Sequence, residues 1–311
     1  MRKSILVAVL LLLVIGSSSA VACSKAPAAV TLTDDQSREV SIPSNPQRIV
    51  SLDAPITEIV FALGLSDRLV GIDDYSNYPK ETDNITKLGS ALSGFSTETI
   101  LNQEPDLILT SAGTIVQQLE SQSVPVFVLQ PKDMAGTYQD IKLVGQITGK
   151  KKAADELVDN MAKRVEAVVA KTSVLTEAQK PTVYYEVDAT DPMNPYTVGS
   201  GTFQAELIEL AGGTNIAASG SGWYAISVEQ ILYANPDIVM LEDYQYGVTP
   251  DSVAARSSAW ASLTAVKEGH IYPIPDPDLT SRYGPRIVDG LEEIAHIVHP
   301  ELFPEADQST S

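Results

Sequence analysis

The feature that most constrains the fold is a repeat. Ser96 through Leu109 aligns without a gap on Ser227 through Met240, and Ser, Glu, Ile, Leu, Pro and Asp match at six of fourteen positions. In each copy a serine stands where it can cap a short helix. Glu98 or Glu229 falls in the first turn of that helix, and Pro105-Asp106 or Pro236-Asp237 leads into an apolar run that reads as a strand. Between the copies, residues 137–175 hold no proline. Leu157, Met161, Val165, Val168 and Val169 recur there at helical spacing, with charges on the other faces. This stretch is expected to form one or two helices, ending in a long one. A unit repeated on both sides of a long helix implies two lobes built on one plan, with a cleft between them. Such clefts are preferred places for a ligand.

Strand and helix signals alternate around the repeat. Strands are expected at 48–52, 69–72, 107–110 and 126–129, with helices at 55–63, 97–103 and 115–122. The alternation resumes after Pro181, with strands at 183–187, 238–241 and 271–274 and helices at 203–210, 228–233 and 286–298. This pattern predicts an α/β fold of two Rossmann-like lobes, each with a mostly parallel sheet. Val30 to Ile42, around Asp34-Asp35-Gln36-Ser37, reads as a hairpin. The expected organisation is an N-terminal lobe at 30–136, a helical segment at 137–176, a C-terminal lobe at 177–304 and a disordered tail at 305–311. A chain of 311 residues has room for this, at ~100–200 residues per domain.

The start of the chain reads as an address. Arg2 and Lys3 precede an unbroken apolar run from Ile5 to Ile15, followed by the small residues Ser17, Ser18, Ser19, Ala20 and Ala22. That is the pattern of a signal peptide over residues 1–22, and the run is too short to span a bilayer, which takes about 20 residues. The only cysteine, Cys23, follows Ala20-Val21-Ala22 directly, where a lipoprotein signal places the residue that receives lipid. The same Ala-x-Ala triplet also suits ordinary signal peptidase. Residues 23–29 are small and Pro-containing, as a tether would be. The body is expected to be extracytoplasmic, lipid-anchored to a membrane surface, and monomeric.

Charge and composition exclude several functions. Forty acidic against 21 basic residues leave no basic face for nucleic acid. One cysteine rules out a disulfide framework or a Cys-based metal site. Nucleophile-elbow, P-loop and dinucleotide fingerprints are missing, so no catalytic residue and no resident cofactor or metal is expected. His270, His296 and His299 read as structural or solvated.

With these residues in view, the chain resembles the substrate-binding proteins of ABC importers, of the helical-backbone class that serves cobalamin, haem and ferric siderophores. Four stretches carry the resemblance: Asp34–Pro43 with Pro46–Leu52; Thr57–Gly64 with Val70–Pro79; the repeated Glu…Pro-Asp unit; and Leu210–Ala217. The resemblance implies a rigid two-lobed binder that delivers a small molecule to a permease dimer with its ATPase subunits. It also implies that Glu98 and Glu229 dock onto permease arginines. A carboxylate at a helix start is independently suited to that, because the helix dipole favours it and it can accept two hydrogen bonds from a guanidinium. As plain helix-start acids, the two residues would need no partner.

The match is nearest to the cobalamin-binding members. Tyr75, Tyr196 and Trp223 fall on ligand-contacting aromatics of that group, and Arg282, with Asp278 nearby, falls on a polar contact. At Leu92 and Ser111 the chain departs from two tryptophans of those proteins, which puts Ser111 in the expected pocket in place of a ring. A corrinoid is therefore the leading ligand. Haem, for which Tyr75 could ligate iron, and a ferric hydroxamate remain alternatives, and a ligand sensor on the same fold stands outside the class. Tyr224, Tyr244, Tyr246 and Tyr283 read as rim residues, and Trp260 as core.

Overall fold

A computed structural model describes residues 29–304 apart from Ala112. The expected signal peptide, Cys23 and the tail lie outside the described residues. Ala29, assigned above to the tether, opens the first strand.

The N-terminal lobe begins with a hairpin of β1 (Ala29–Thr33) and β2 (Glu39–Pro43). Its turn is fixed by buried Asp34, which accepts from the Gln36 and Arg38 amides at 3.0 Å each and pairs with the Arg38 guanidinium. Next come β3 (Ile49–Ser51), α1 (Ala54–Ala62), β4 (Leu69–Ile72), a small ribbon of β5 (Gly89–Ser90) and β6 (Gly94–Phe95), and α2 (Thr97–Leu101). The lobe ends with β7 (Leu107–Thr110), α3 (Gly113–Glu120) and β8 (Val126–Val128). Its main sheet has the order β4-β3-β7-β8, parallel throughout.

Two helices follow, α4 (Met134–Ile147) and α5 (Lys151–Thr172). Asp133 caps α4 by accepting from the Gly136 amide at 2.7 Å, which starts the helix three residues earlier than the sequence suggested. A Cβ on Gly145 would stand 2.4 Å from the Ala154 Cβ, so the glycine is what lets α4 and α5 pack in contact. The 22 residues of α5 make a strut of about 33 Å. Its far end is fastened to the second lobe by Thr172 Oγ1 donating to the Leu210 carbonyl at 2.8 Å and by Arg164 pairing with Asp289 and Glu292.

The C-terminal lobe contains β9 (Thr182–Asp188), β10 (Tyr196–Val198), α6 (Phe203–Leu210), β11 (Thr214–Asn215), β12 (Trp223–Ala225) and α7 (Val228–Ala234). After these come β13 (Ile238–Leu241), α8 (Pro250–Ala254), α9 (Thr264–Glu268), β14 (Ile271–Pro273), α10 (Asp278–Ser281) and α11 (Ile287–Val298). The sheet order is β12-β10-β9-β13-β14, with β11 also on β9. Pairs of β9 with β11 and β13, and of β13 with β14, are parallel, whereas β10 pairs antiparallel with both β9 and β12. Neither β10 nor β12 is among the strands expected from the sequence. At three residues each, beside Pro195, Gly199 and Gly222, they are too short to show a period.

The repeat does the same structural work twice. Ser96 and Ser227 cap α2 and α7 through Oγ, accepting from the Thr99 and Gln230 amides. Asp106 accepts from the Gln47 and Arg48 amides at 2.8 and 2.9 Å, and Asp237 from the Thr182 amide at 2.8 Å. Each aspartate thus pins the start of the strand beside it, β3 or β9.

Strand alternation distributes the core. Leu107 and Leu109 face a central cluster that also takes Ile238 and Met240 of the other lobe, together with Ile56, Val158, Leu207 and Leu291 from α1, α5, α6 and α11. Ile108 points instead to an outer cluster with Val50 and Ile100, and Val239 to another with Tyr184 and Trp260. Both lobes therefore share one apolar seam. Among the described residues, no helix is long and apolar enough to cross a membrane.

Candidate functional site: the floor of the interlobe cleft

In a parallel sheet the crevice beyond the carboxyl ends of the strands is the usual ligand position. Here Asp53 follows β3, Asp73 and Tyr75 follow β4, and Ser111 follows β7. Because β4, β3 and β7 are neighbours, these side chains gather at one end of the sheet. From the other lobe, α10 and the residues after it bring Asp278, Arg282 and Tyr283. Together these groups line a cavity of about 320 Å³. Tyr75, Ser111, Asp278 and Arg282, all expected from the sequence, thus meet in one place.

Asp53, Asp73 and Tyr283 were not anticipated as pocket residues. Asp53 is the N-cap residue of α1 yet makes no capping bond with its side chain. Its Oδ2 instead accepts from Ser111 Oγ and from the Tyr283 hydroxyl of the opposite lobe. Tyr283 is held flat against Phe203, ring centroids 5.8 Å apart, and so belongs to the cleft floor and not to the rim. Asp73 accepts from the Tyr75 amide at 3.0 Å and from Ser76 Oγ. Burial raises both carboxyls from their ordinary values, against the lowering effect of these donors, and the Asp53 charge raises Asp73 further. Burial and the Asp53 charge likewise push the Tyr283 hydroxyl far up. The position of Asp53, directly after a strand and before a Pro-started helix, is the signal that could have found it.

Arg282 has a second role. Its guanidinium donates to the Tyr75 carbonyl at 3.1 Å and to Asn77 Oδ1 at 2.8 Å, and pairs with Asp278 at 2.8 Å and Glu58 at 3.4 Å. Arg286 pairs with the same Glu58 carboxylate at 2.7 and 3.0 Å, reaches Asp276 at 3.3 Å, and stacks over Tyr78 at 3.9 Å. Glu58 is buried on α1, so one carboxylate clasps two arginines of the other lobe beside the cavity. Through the Tyr75 carbonyl, Arg282 also fixes the loop that presents the ring.

Tyr196 and Trp223 do not line this cavity. They occupy neighbouring antiparallel strands, with Tyr196 opposite Ala225 and Trp223 opposite Val198. This register puts both rings on one face at a diagonal, a spacing of about 7–8 Å between backbones. Tyr196 also pairs with Asp188, the last residue of β9, and so lies at the carboxyl end of that strand. Tyr75, Tyr196 and Trp223 are 53%, 51% and 55% exposed. Leu92, where a tryptophan was noted in the cobalamin binders, is also exposed.

Glu98 and Glu229 sit exposed in the first turns of their capped helices. The histidines are engaged elsewhere: His299 with the Gly212 carbonyl and Glu301, His296 with the Phe303 carbonyl, and His270 against Tyr272. No group of three or more His, Cys, Asp or Glu residues suited to a metal ion occurs among the described residues. A larger polar cavity, about 700 Å³, lies between Lys132-Asp133 and the Glu206 face of α6. None of the residues expected from the sequence lines it.

Comparison with known proteins agrees with this architecture. A family model described as periplasmic binding protein matches residues 49–277. An uncharacterized ABC transporter substrate-binding lipoprotein of Bacillus subtilis is 32% identical, over 89% of this chain and 87% of its own length. A cobalamin-binding protein of Halobacterium salinarum is 28% identical, over 87% and 74%. The solved structure of a periplasmic heme-binding protein from Roseiflexus superposes with a TM-score of 0.72 at 25% identity, covering 82% of this chain and 99% of that one. Two lobes of one plan, a helical strut between them and a cleft at the strand ends are thus accompanied by matches over most of the length, and the chain belongs to the periplasmic binding protein family, the substrate-binding proteins of ABC importers.

Proposed function

We propose that the chain captures a corrinoid in the interlobe cleft and delivers it to an ABC permease with its ATPase subunits. The observation that carries the ligand assignment is the set of three half-exposed rings, Tyr75 on one lobe and the Tyr196–Trp223 pair on the other. A corrin is large and flat, with apolar edges and amide arms. Aromatic faces suit the edges, and the carboxylates and hydroxyls of the floor suit the arms. The Halobacterium relative, named a cobalamin-binding protein, supports the same choice.

The second reading is haem, favoured by the Roseiflexus heme-binding structure and by the half-exposed Tyr75, whose hydroxyl could ligate iron. A ferric hydroxamate is the third. Calorimetric titration with cyanocobalamin, haemin and a ferric hydroxamate separates them. Saturable one-to-one binding of the corrinoid alone is the expected result, and a signal from an iron complex without one from the corrinoid would overturn the assignment.

Delivery is assigned to Glu98 and Glu229, one on the exposed first turn of each repeat helix, as the acids that meet permease guanidinium groups. Anchoring is assigned to Cys23, in keeping with the lipoprotein name of the Bacillus relative. Mass spectrometry of the membrane fraction would show a diacylglyceryl adduct on Cys23, and release of unmodified chain would refute it.

A further inference from the structure

The polar groups of the cavity are unequal in charge. Among the described residues, Asp53, Asp73 and Asp278 line it, against Arg282 as the one cation in the lining. That arginine is already matched by Asp278 at 2.8 Å and by Glu58 at 3.4 Å. Lys87, which acts on Asp73 from outside the lining, has its ammonium on the Ser76 carbonyl. The excess at the cleft floor is therefore negative, and it is built in. The Asp53 carboxylate makes no capping bond to its helix, and two hydroxyls from different lobes hold it on the cavity wall.

We propose that Asp53 and Asp73 are specificity residues that make the cleft a charge filter, admitting neutral or cationic metal complexes rich in N–H donors and rejecting those that present carboxylates or catecholates. The inference rests on the reading of this cleft as the ligand site and goes further in naming the charge class and the residues that impose it. A carboxylate on the ligand would meet fixed carboxylates in a partly desolvated cavity with no free cation among the described residues of its lining, where like charges repel far more strongly than in water. An amide arm would instead donate to them. The filter works against haem propionates and tricatecholate complexes, whose size and flatness the aromatic walls alone would not distinguish from a corrin.

The test uses two ligand pairs that differ in charge: cyanocobalamin against its monocarboxylic acid derivative, and a neutral ferric trihydroxamate against an anionic ferric tricatecholate. Affinities are measured on the purified chain and on Asp53→Asn, Asp73→Asn and the double variant, each first checked for a cooperative thermal transition. The neutral member is expected to bind about tenfold more tightly or better at low salt, with the gap shrinking as salt rises. The ratio should narrow stepwise through the single and double variants. Because the readout is a ratio measured on one preparation, partial unfolding does not imitate the effect. A wild-type ratio near one, a preference for the anionic member, or a ratio that the substitutions leave unchanged overturns the filter. If the cobalamin pair is silent while the ferric pair shows the ratio, the corrinoid assignment falls and the filter stands. A corrinoid pair that binds with equal affinities does the reverse, and silence from both pairs overturns both.

Discussion

Substituting Glu58 by glutamine tests how the two lobes are held. The side chain of Glu58 is 2% exposed, and its oxygens lie 2.7 and 3.0 Å from Arg286 nitrogens and 3.4 Å from Arg282, whose side chains are 14% and 12% exposed. Glutamine keeps the shape but removes the charge, leaving two guanidinium groups in a low-dielectric seam with one carbonyl acceptor between them. Breaking one side of a buried ion pair typically costs 3–5 kcal/mol. The residual carbonyl and the partial solvent access of Asp276 and Asp278 place Glu58→Gln near the lower bound, about 3 kcal/mol. For a chain of this size that is a fall in Tm of roughly 5 °C. Urea unfolding of the wild type, Glu58→Gln, Arg286→Met and the double variant gives the coupling directly. If the clasp is real, the double variant loses much less than the sum of the singles. A loss under about 1 kcal/mol for Glu58→Gln, with additive singles, would mean that the contact behaves as a surface pair and that the lobes are held by the apolar seam alone.

Other consequences follow from the same structure. Because the α5 strut and the Glu58 clasp both resist opening, crystal structures with and without ligand are expected to differ by a few degrees of lobe rotation, and a rotation of tens of degrees would contradict the account. Trp223→Ala and Tyr196→Ala should each weaken corrinoid binding by about fivefold or more, since an aromatic contact with a flat ligand contributes ~1–3 kcal/mol, and unchanged calorimetric affinity would remove these rings from the site. Glu98→Ala combined with Glu229→Ala should abolish uptake by cells while leaving ligand affinity intact, and a fall in affinity would assign the acids to the pocket or to stability. Asp140 is buried, leaves Oδ2 without a partner, and is pushed up to about 8 by burial and by neighbouring Asp35. The folded state holds that proton where the unfolded state has lost it, so stability falls as pH rises from about 4 towards 8. Asp140→Asn should therefore raise Tm more at pH 8 than at pH 5, and an equal shift at both would show that Asp140 does not titrate in this range.

Much of the fold was legible because the repeat and the apolar runs are local signals. The strands at 69–72, 107–110 and 238–241 and the helix at 203–210 lie where the sequence put them, and Trp260 is buried against Tyr184 as a core residue. What the sequence concealed was long-range. Tyr196 and Trp223 share a face only because β10 and β12 pair, and neither three-residue strand has enough alternation to declare itself. The acceptor role of Asp53 depends on Tyr283, 230 residues away, and the Glu58 clasp joins positions 224 and 228 residues apart. Arg282 was readable as a cleft residue, but its hold on the Tyr75 carbonyl was not, because backbone acceptors leave no mark in a sequence.

The most direct test of ligand capture in the interlobe cleft is the position of cobalt. Crystals grown with cyanocobalamin, measured above and below the cobalt absorption edge, would give an anomalous difference peak specific to cobalt. The account predicts one peak per chain in the cleft, between Tyr75 above the Asp53 floor and the Tyr196–Trp223 face. A peak in the Lys132–Glu206 cavity, or saturated binding in solution with no cobalt in the cleft, would contradict it.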